Sequence, residues 1–304
     1  MNLIVCPLRL HILDCIMNEW IYIVLQGLLI GGFYAILAAG LSIAFGVMRV
    51  INLAHGDVVV LAAFLAMLLL QTLGDLLGPV LACAISIPCM FVIGYIFQRV
   101  ILNRAVGEQI LPPLLITFGL SIIIQNGLLQ VFTADSQKIG FGDLDASSIY
   151  LTDDLQIGLL SVGIFGTALA LYYGLSMLIN RTKIGRALRA ASDDPHTLAQ
   201  VGANPLHVYA IAMGLSFAIC AIAGIAYGVT SQFNPLSGPP RLLIAFEAVV
   251  IGGVGSLRGT LLGALLLGIV QSIGASFDPA LQHFSGHVLF LITLLIRPNG
   301  LFNR

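Results

Sequence analysis

The chain has 304 residues, of which 59% are apolar and only 9% are charged. A soluble domain usually carries about a quarter charged residues, so the polar side chains here are too few to cover a globule of this size. The composition therefore excludes a soluble enzyme and favours a protein whose surface largely faces lipid. The formal net charge of −1 supplies no basic field that would attract nucleic acid.

The N-terminal segment 1–16 differs from the rest of the chain, because Pro7 and Arg9 interrupt its apolar residues. It is too broken for a transmembrane span, and no A-x-A-like cleavage site comes after it. Met17 stands just ahead of the first long apolar run. We therefore expect an N-terminal extension and hypothesise that translation begins at Met17, which leaves residues 17–304 as a single transmembrane domain.

Apolar runs long enough to cross a bilayer, about 20 residues each, then succeed one another along the chain. The stretch after Arg241 is broken by a glycine-rich segment at 252–259, so it counts as one crossing or as two. The sequence predicts an all-α polytopic membrane protein with eight or nine transmembrane helices, some of them interrupted. The predicted spans are Trp20–Val47, Val58–Leu73, Pro79–Phe97, Leu111–Phe132, Leu155–Ile179, Val208–Ser231, the one or two crossings within 241–275, and His287–Ile296.

The loops separate by charge. Basic residues cluster in 99–110 and 180–207, whereas 133–154 carries five aspartates and one lysine. Because basic loops stay on the cytoplasmic side, the first two are predicted inside and the third outside. Alternation then places 231–240 outside. Two crossings in the broken stretch would put the basic tail 297–304 inside, and the arginine distribution favours that count.

The cytoplasmic loop 181–207 carries more structure than topology requires. Ile184, Ala187, Leu188 and Ala191 recur at helical spacing and predict an amphipathic helix. Asp194-Pro195 is an N-cap followed by a proline at the first helical position, and it predicts a second short helix. Apolar faces at a membrane surface seek a partner protein or the lipid interface, so the loop is interpreted as a docking element; a passive loop is the alternative.

Polar residues interrupt the apolar pattern at one place in each half of the chain. The first lies between two spans at 49–57, and the second is Glu247 with the glycines that come after it. Interrupted segments at matching places in two halves suggest an internal inverted repeat and a transport pathway. A cytoplasmic turn capped by Asn52, and an interhelical hydrogen bond from Glu247, are the structural alternatives. The candidate pathway residues are Asn52, His55, Gly56, Asp57, Glu247, Gly252, Gly253 and Gly255.

Motifs for catalysis and metal binding are missing from the sequence. It contains no G-x-x-x-x-G-K-[ST] loop for ATP, no H-E-x-x-H and no G-x-S-x-G. The five cysteines form no C-x-x-C pair, and no Cys/His cluster has zinc spacing. We therefore expect no enzyme activity, no metal and no cofactor bound by this chain.

Four segments together resemble the LivH-type permeases, which are membrane subunits of ABC importers for branched-chain and other hydrophobic amino acids. The segments are GLSIAFGVMRVINLAHGDVVVLAAF (40–64), RTKIGRALRAASDDPHTLAQVGANP (181–205), FEAVVIGGVGSLRGTLLGALLLGIVQ (246–271) and RPNGLF (297–302), and the run LLITFGLSIIIQN (114–126) also fits.

This resemblance implies a homologous second permease subunit, two cytoplasmic ATPase subunits that bind the ATP, and a periplasmic substrate-binding protein, all at the bacterial inner membrane. It also implies that the loop near 181–207 couples the permease to the ATPases, with an apolar face entering an ATPase groove. The coupling-loop residues are Ile184, Gly185, Arg186, Ala187, Leu188, Arg189, Ala190 and Gly202.

Other transporter classes remain alternatives at this stage. An ion-coupled secondary transporter would explain interrupted helices in two halves, but it predicts more intramembrane carboxylates and leaves the structured loop unexplained. A membrane-embedded enzyme or a channel lacks a nucleophile cluster or a ring of charges. Within the ABC interpretation, urea or short-chain amides are alternative cargoes.

Overall fold

The computed structural model describes residues 5–105, 111–141, 147–152, 155–200 and 202–302. These residues form a helical molecule with one short β-hairpin. The elements are α1 Val5–Met48, α2 His55–Leu77, α3 Pro79–Ala84, α4 Ser86–Val100, α5 Leu111–Phe132, β1 Ser148–Thr152, β2 Leu155–Gly158, α6 Leu159–Arg181, α7 Lys183–Asp193, α8 Pro195–Gln200, α9 Pro205–Thr230, α10 Gly238–Gly252, α11 Leu257–Phe277 and α12 Leu281–Ile296.

Seven helical stretches of the described residues are long and apolar enough to cross a membrane, so the chain is a multi-pass membrane protein. The third is composite, because α3 and α4 join with the turn after them into one span, Pro79–Arg104. Two helices are shorter. α10 has 15 residues and α12 has 16, so at 1.5 Å per residue each spans about 22–24 Å, less than the hydrocarbon thickness of about 30 Å.

Antiparallel packing of α1 on α9 forms the centre of the molecule. The Ser216 hydroxyl of α9 donates to the Gly40 carbonyl of α1 at 2.8 Å. On another side of α1, Gly27 and Gly31 lie against the backbone of α11, where Gly268 faces them. Small residues four apart, such as Gly27 and Gly31, allow such close backbone approach.

The helix contacts show the pattern expected of an inverted repeat. α1 packs against α11 as α9 packs against α4, and α1 packs against α10 as α9 packs against α2. Exchanging α1, α2 and α4 for α9, α10 and α11 therefore maps these contacts onto one another, with α2 against α10 at the centre. Because α1 and α9 run in opposite directions, the two sets have opposite orientation, as the interrupted segments in the two halves predict.

α2 does not begin at the membrane surface. The His55 ring at its first residue reaches the Leu37 carbonyl of α1, which lies eleven residues before the end of that helix. At 1.5 Å per residue this is about 16 Å from the end of α1. The non-helical segment 49–54 therefore leads the chain from the end of α1 back into the interior, and it is not a turn confined to the surface.

α10 also begins inside the molecule, against the start of α2. The Gly238 carbonyl at its first residue lies so close to Gly56 that a Cβ on Gly56 would overlap it. The N-termini of α2 and α10 thus meet at depth, while the two helices run toward opposite sides. The prediction that 231–240 is an outer loop is wrong for its last residues, because the chain descends from the end of α9 to this contact.

The turn after α10 and the C-terminal tail lie on the same side of the molecule as the loop 181–207. Gly255 approaches Gly46 near the end of α1, and the Ser192 hydroxyl of α7 donates to the Gly46 carbonyl. The Leu301 amide donates to the Ile251 carbonyl at 2.9 Å. The broken stretch therefore reverses direction at the glycines, which is the two-crossing arrangement favoured by the arginines.

The predicted fifth span begins too early, because residues 155–158 form β2 of an antiparallel hairpin and the helix starts at Leu159. Its polar and apolar residues alternate, which favours a strand over the first turn of a helix. Large apolar side chains are exposed on the peripheral helices, for example Ile123 of α5 (69%) and Leu295 of α12 (85%). Exposed apolar faces of this size are expected where lipid or a partner covers them.

Candidate functional site

The loop 181–207, predicted to be cytoplasmic, forms the two short helices predicted from its sequence. Thr182 caps α7, because its Oγ1 accepts the Gly185 amide hydrogen at 3.0 Å while its hydroxyl donates to the Leu178 carbonyl. Gly185 itself lies against the backbone at the end of α6, where a Cβ would overlap the carbonyls of Leu178 and Ile179. Gly185 therefore allows α7 to fold back tightly against α6.

Local caps also define α8 and the start of α9. Asp194 Oδ1 accepts the amide hydrogens of His196 and Thr197, at 2.8 and 3.2 Å. The Thr197 hydroxyl and these amides stabilise the exposed carboxylate and lower the pKa of Asp194. Gly202 has φ 86°, a left-handed conformation that favours glycine. Asn204 Oδ1 then accepts the Leu206 amide hydrogen at 3.0 Å.

The predicted apolar face of α7 is partly buried in the chain's own core and partly exposed. The docking prediction is therefore wrong for its buried residues. Leu188 and Ala191 are each only 2% exposed and belong to the core of the chain itself, so they cannot enter a groove on another protein. Ile184 is 47% exposed, and Arg186 and Arg189 are exposed as well. The surface left for a partner is therefore one apolar side chain flanked by basic groups.

Ile184 borders a shallow cavity of about 300 Å³ between α7 and the start of α9. Ala187, Ala203, His207 and Val208 contribute to its walls. Lys183 borders the cavity as well, whereas Arg186 and Arg189 are exposed on other sides of α7. We call this set of features the loop surface.

α7 is joined to the interrupted segment by two polar contacts. The Ser192 hydroxyl donates to the Gly46 carbonyl of α1 at 2.6 Å. The Arg49 guanidinium donates to the Ser192 carbonyl at 3.3 Å, and Arg49 itself has φ 53°, which ends α1. A displacement of α7 would therefore act directly on the residues that lead to the start of α2.

The first group of candidate pathway residues lies where α2 begins, and all four are buried. Asn52 Oδ1 accepts the Ala54 amide hydrogen at 3.1 Å, so it turns the chain into the helix. His55 donates from Nε2 to the Leu37 carbonyl at 2.9 Å, and the Cys220 thiol lies 3.5 Å from its Nδ1. These partners satisfy both ring nitrogens and make His55 an anchor for the helix start.

Asp57 occupies the contact between the two helix N-termini. Its carboxylate accepts hydrogen bonds from the Ser121 hydroxyl at 2.6 Å and from the Gln125 side-chain amide at 3.0 Å. It also lies against Gly238, where a Cβ would overlap its Oδ1. Helix N-termini favour negative charge, so Asp57 is placed where the positive ends of α2 and α10 meet.

The second group of candidates separates into two places. Glu247 is 1% exposed, and its Oε1 pairs with His287 Nδ1 of α12 rather than with the first group. Its Oε2 has no hydrogen-bond partner within the described ranges. The three glycines lie at the reversal between α10 and α11. Gly252 packs against Gly259, whereas Gly253 and Gly255 have φ values of 104° and 82°.

Sequence reasoning missed several partners of these residues. Ser121 and Gln125 are four apart in a largely apolar helix, and that spacing would have shown a polar patch on one face. Gly238 stands immediately before Pro239-Pro240, which is the signal of a helix start. His287 stands in the sequence only as the first residue of the last predicted span.

The matching family model is described as the permease component of the branched-chain amino acid transport system, and it covers residues 23–296. The permease BraD of Pseudomonas aeruginosa, named for high-affinity branched-chain amino acid transport, is 31% identical over 92% of this chain and 94% of its own length. The permease LivH of Escherichia coli strain K12, with the same transport named, is 25% identical over 94% and 97%. The probable permease LivM of Methanocaldococcus jannaschii is 29% identical over 44% and 43%. No solved structure matches.

Proposed function

The chain belongs to the family of permease components of branched-chain amino acid transport systems, and from that premise we propose that it carries branched-chain amino acids inward across a bacterial inner membrane. As a member of this family it is the permease subunit of an ABC importer, and not an enzyme. The observation that carries the mechanism is the pair of contacts between α7 and the segment 46–49, because they connect a cytoplasmic surface with the interior.

An importer of this kind needs further subunits. The relatives named LivH and LivM are both permeases, in agreement with a second permease subunit beside this one. We further propose two ATPase subunits on the cytoplasmic side and a substrate-binding protein on the outer side. ATP is then bound by the ATPases, and this chain binds no cofactor of its own.

In this proposal the loop surface is the ATPase dock. Ile184 supplies an apolar side chain, while Arg186 and Arg189 supply charge that steers and orients a partner. Gly185, Ala187, Leu188, Ala190 and Gly202 hold the two helices in shape. Closure of the ATPases moves α7, and the Ser192 contacts pass that motion to Arg49 and the segment beyond it.

We propose that the contact between the N-termini of α2 and α10 is where this motion changes the pathway. Asp57 connects three elements there, since it lies between α2 and α10 and is hydrogen-bonded to α5. Asn52, His55 and Gly56 hold the start of α2, and Gly252, Gly253 and Gly255 hold the reversal after α10. A shift of 49–54 would separate the two N-termini and alter the packing of both helices.

Purification of the tagged chain from gently solubilised membranes tests the assembly. Two ATPase subunits and a second permease should co-purify, and a binding protein loaded with leucine should stimulate ATP hydrolysis. Recovery of this chain alone would refute the proposal. Stimulation by a binding protein loaded only with urea or an amide would refute the cargo.

Charge reversal tests the dock. Arg189 donates only a long hydrogen bond, 3.4 Å, to Asn180, so Arg189→Glu should leave the fold intact and abolish leucine uptake. Arg104→Glu reverses another exposed charge of the predicted cytoplasmic side, in the turn after α4, and serves as the matched control that should retain uptake. Normal uptake by Arg189→Glu would remove that residue from the dock.

A further inference from the structure

A cavity of about 340 Å³ opens toward the outer side of the molecule, near the end of α9. Its walls come from the outer half of α1, the junction of β2 with α6, the end of α9, and the starts of α10 and α12. Ligand pockets begin at about 300 Å³, so this cavity has room for a small molecule. It is separate from the loop surface and from the Asp57 contact.

Arg241 is the cation of this cavity. Its Cζ lies 4.3 Å from the centroid of the Tyr227 ring, and its Nη2 donates to the Tyr227 hydroxyl at 2.9 Å. Its Nε is buried and has no hydrogen-bond partner among the described residues. No described Asp or Glu forms an ion pair with it, since Glu247 pairs with His287.

The guanidinium of Arg241 is a charge without an ion-pair partner among the described residues. Cations at membrane depth are costly, and they usually pair with an anion or face a water-filled cavity that serves transport. Tyr227 orients the guanidinium plane by stacking and by one hydrogen bond, but it does not neutralise the charge. The planar fork of an arginine matches a carboxylate with two parallel hydrogen bonds.

The remaining walls are partly apolar and partly polar. Ile30 and Phe33 of α1 and Ile164 of α6 supply apolar surface, while Gln26, Ser161, Thr230 and His283 supply polar atoms. A cavity with one fixed cation, an apolar wall and a few polar groups matches a small aliphatic amino acid: a carboxylate, an apolar side chain and an ammonium group.

We propose that this cavity is the outward-facing cargo site of the permease, and that Arg241 binds the carboxylate of the amino acid there. The inference rests on the proposed function for the identity of the cargo. The role of Tyr227 is to position the guanidinium, and the role of Ile30 and Phe33 is to cover the aliphatic side chain. The cargo would enter from the outer side, where the binding protein releases it.

Thiol chemistry tests the site without depending on transport. Ser161 lines the cavity, so Ser161→Cys is placed in a variant whose five native cysteines are replaced. An anionic methanethiosulfonate should react faster than a cationic one, and Arg241→Gln should lower that preference by about fivefold. Leucine should slow the reaction, and Arg241→Gln should abolish the protection. Thr230→Cys, also in the cavity wall, is the second reporter.

Two further variants separate charge from structure. Tyr227→Phe keeps the ring and the guanidinium, so it should keep the reagent preference. Arg241→Lys keeps the charge but loses the planar fork, so it should keep the preference and weaken leucine protection; it carries the test if Arg241→Gln does not assemble. If neither the preference for the anionic reagent nor the protection by leucine changes when Arg241 is replaced, the inference is wrong.

Uptake by the reconstituted complex distinguishes the two proposals. Wild-type complex that takes up no branched-chain amino acid refutes the proposed function, whatever the thiol result. Normal wild-type uptake, combined with normal uptake by an assembled Arg241→Gln complex, refutes the cargo site alone. The expected result is wild-type uptake and at least about a tenfold loss in Arg241→Gln, with binding-protein docking retained.

Discussion

The contact between the N-termini of α2 and α10 should be highly sensitive to a single methyl group added at Gly56. A Cβ there would lie 2.8 Å from the carbonyl carbon of Gly238 and from the Leu242 nitrogen, and closer still to the Gly238 oxygen. Carbon atoms rest comfortably at about 3.5 Å. The obstacle is backbone, which cannot rotate away, so Gly56→Ala must separate α2 from α10. Overpacking of this kind costs about 1–3 kcal/mol.

Thermal unfolding of the purified protein in one detergent measures this cost. At about 2–4 °C per kcal/mol, Gly56→Ala should lower the midpoint by about 2–12 °C. Gly127→Ala is the matched control, because Gly127 also lies in a helix and a Cβ there meets nothing within 4 Å. A Gly56→Ala protein as stable as the control would show that the N-termini do not approach closely and would exclude a central contact between α2 and α10.

The remaining predictions concern the loop, the topology and the buried carboxylate. Leu188→Ala should lower the free energy of unfolding by about 2–5 kcal/mol because its side chain is in the core, whereas Ile184→Ala should leave thermal stability unchanged and reduce binding-protein-stimulated ATP hydrolysis; equal stability losses would refute the assignment. A cysteine at Asn299 should react with an impermeant thiol reagent only from the cytoplasmic side, and one at Ser147 only from outside; the reverse pattern would overturn the topology. Glu247→Gln should slow transport if the carboxylate acts in the pathway, and an unchanged rate with lower stability would support a structural role.

The cytoplasmic loop was predictable because its structure is encoded locally. Asp194 before Pro195 and Asn204 before Pro205 are complete capping signals within two residues each, and both caps form. The direction of the apolar face was not predictable. The helical periodicity predicts that Leu188 is buried. Whether its own chain or a partner buries it depends on helices that are distant in sequence.

The membrane interior was predictable in kind and not in detail. The sequence predicts interrupted segments around residues 49–57 and after Glu247, but the contact that matters joins Gly56 to Gly238. This contact arises from the inverted arrangement of the two sets of helices, so no pattern in the sequence around either glycine predicts it. Arg241 illustrates the same limit, since in the sequence it stands only as the boundary of an apolar stretch.

The positions of the charged groups support one direction of coupling. Arg49 lies at the cytoplasmic end of α1, and Asp57 lies eight residues later, where α2 and α10 meet. Arg241 lies on α10, about one turn after Gly238, and lines the outer cavity. A movement of α7 therefore has a short covalent and hydrogen-bonded route, through Ser192, Arg49 and Asp57, to the helix that carries Arg241. Because α10 is too short to cross the membrane alone, a shift at either of its ends can displace it without breaking a full span, which makes it the element best suited to connect the two surfaces.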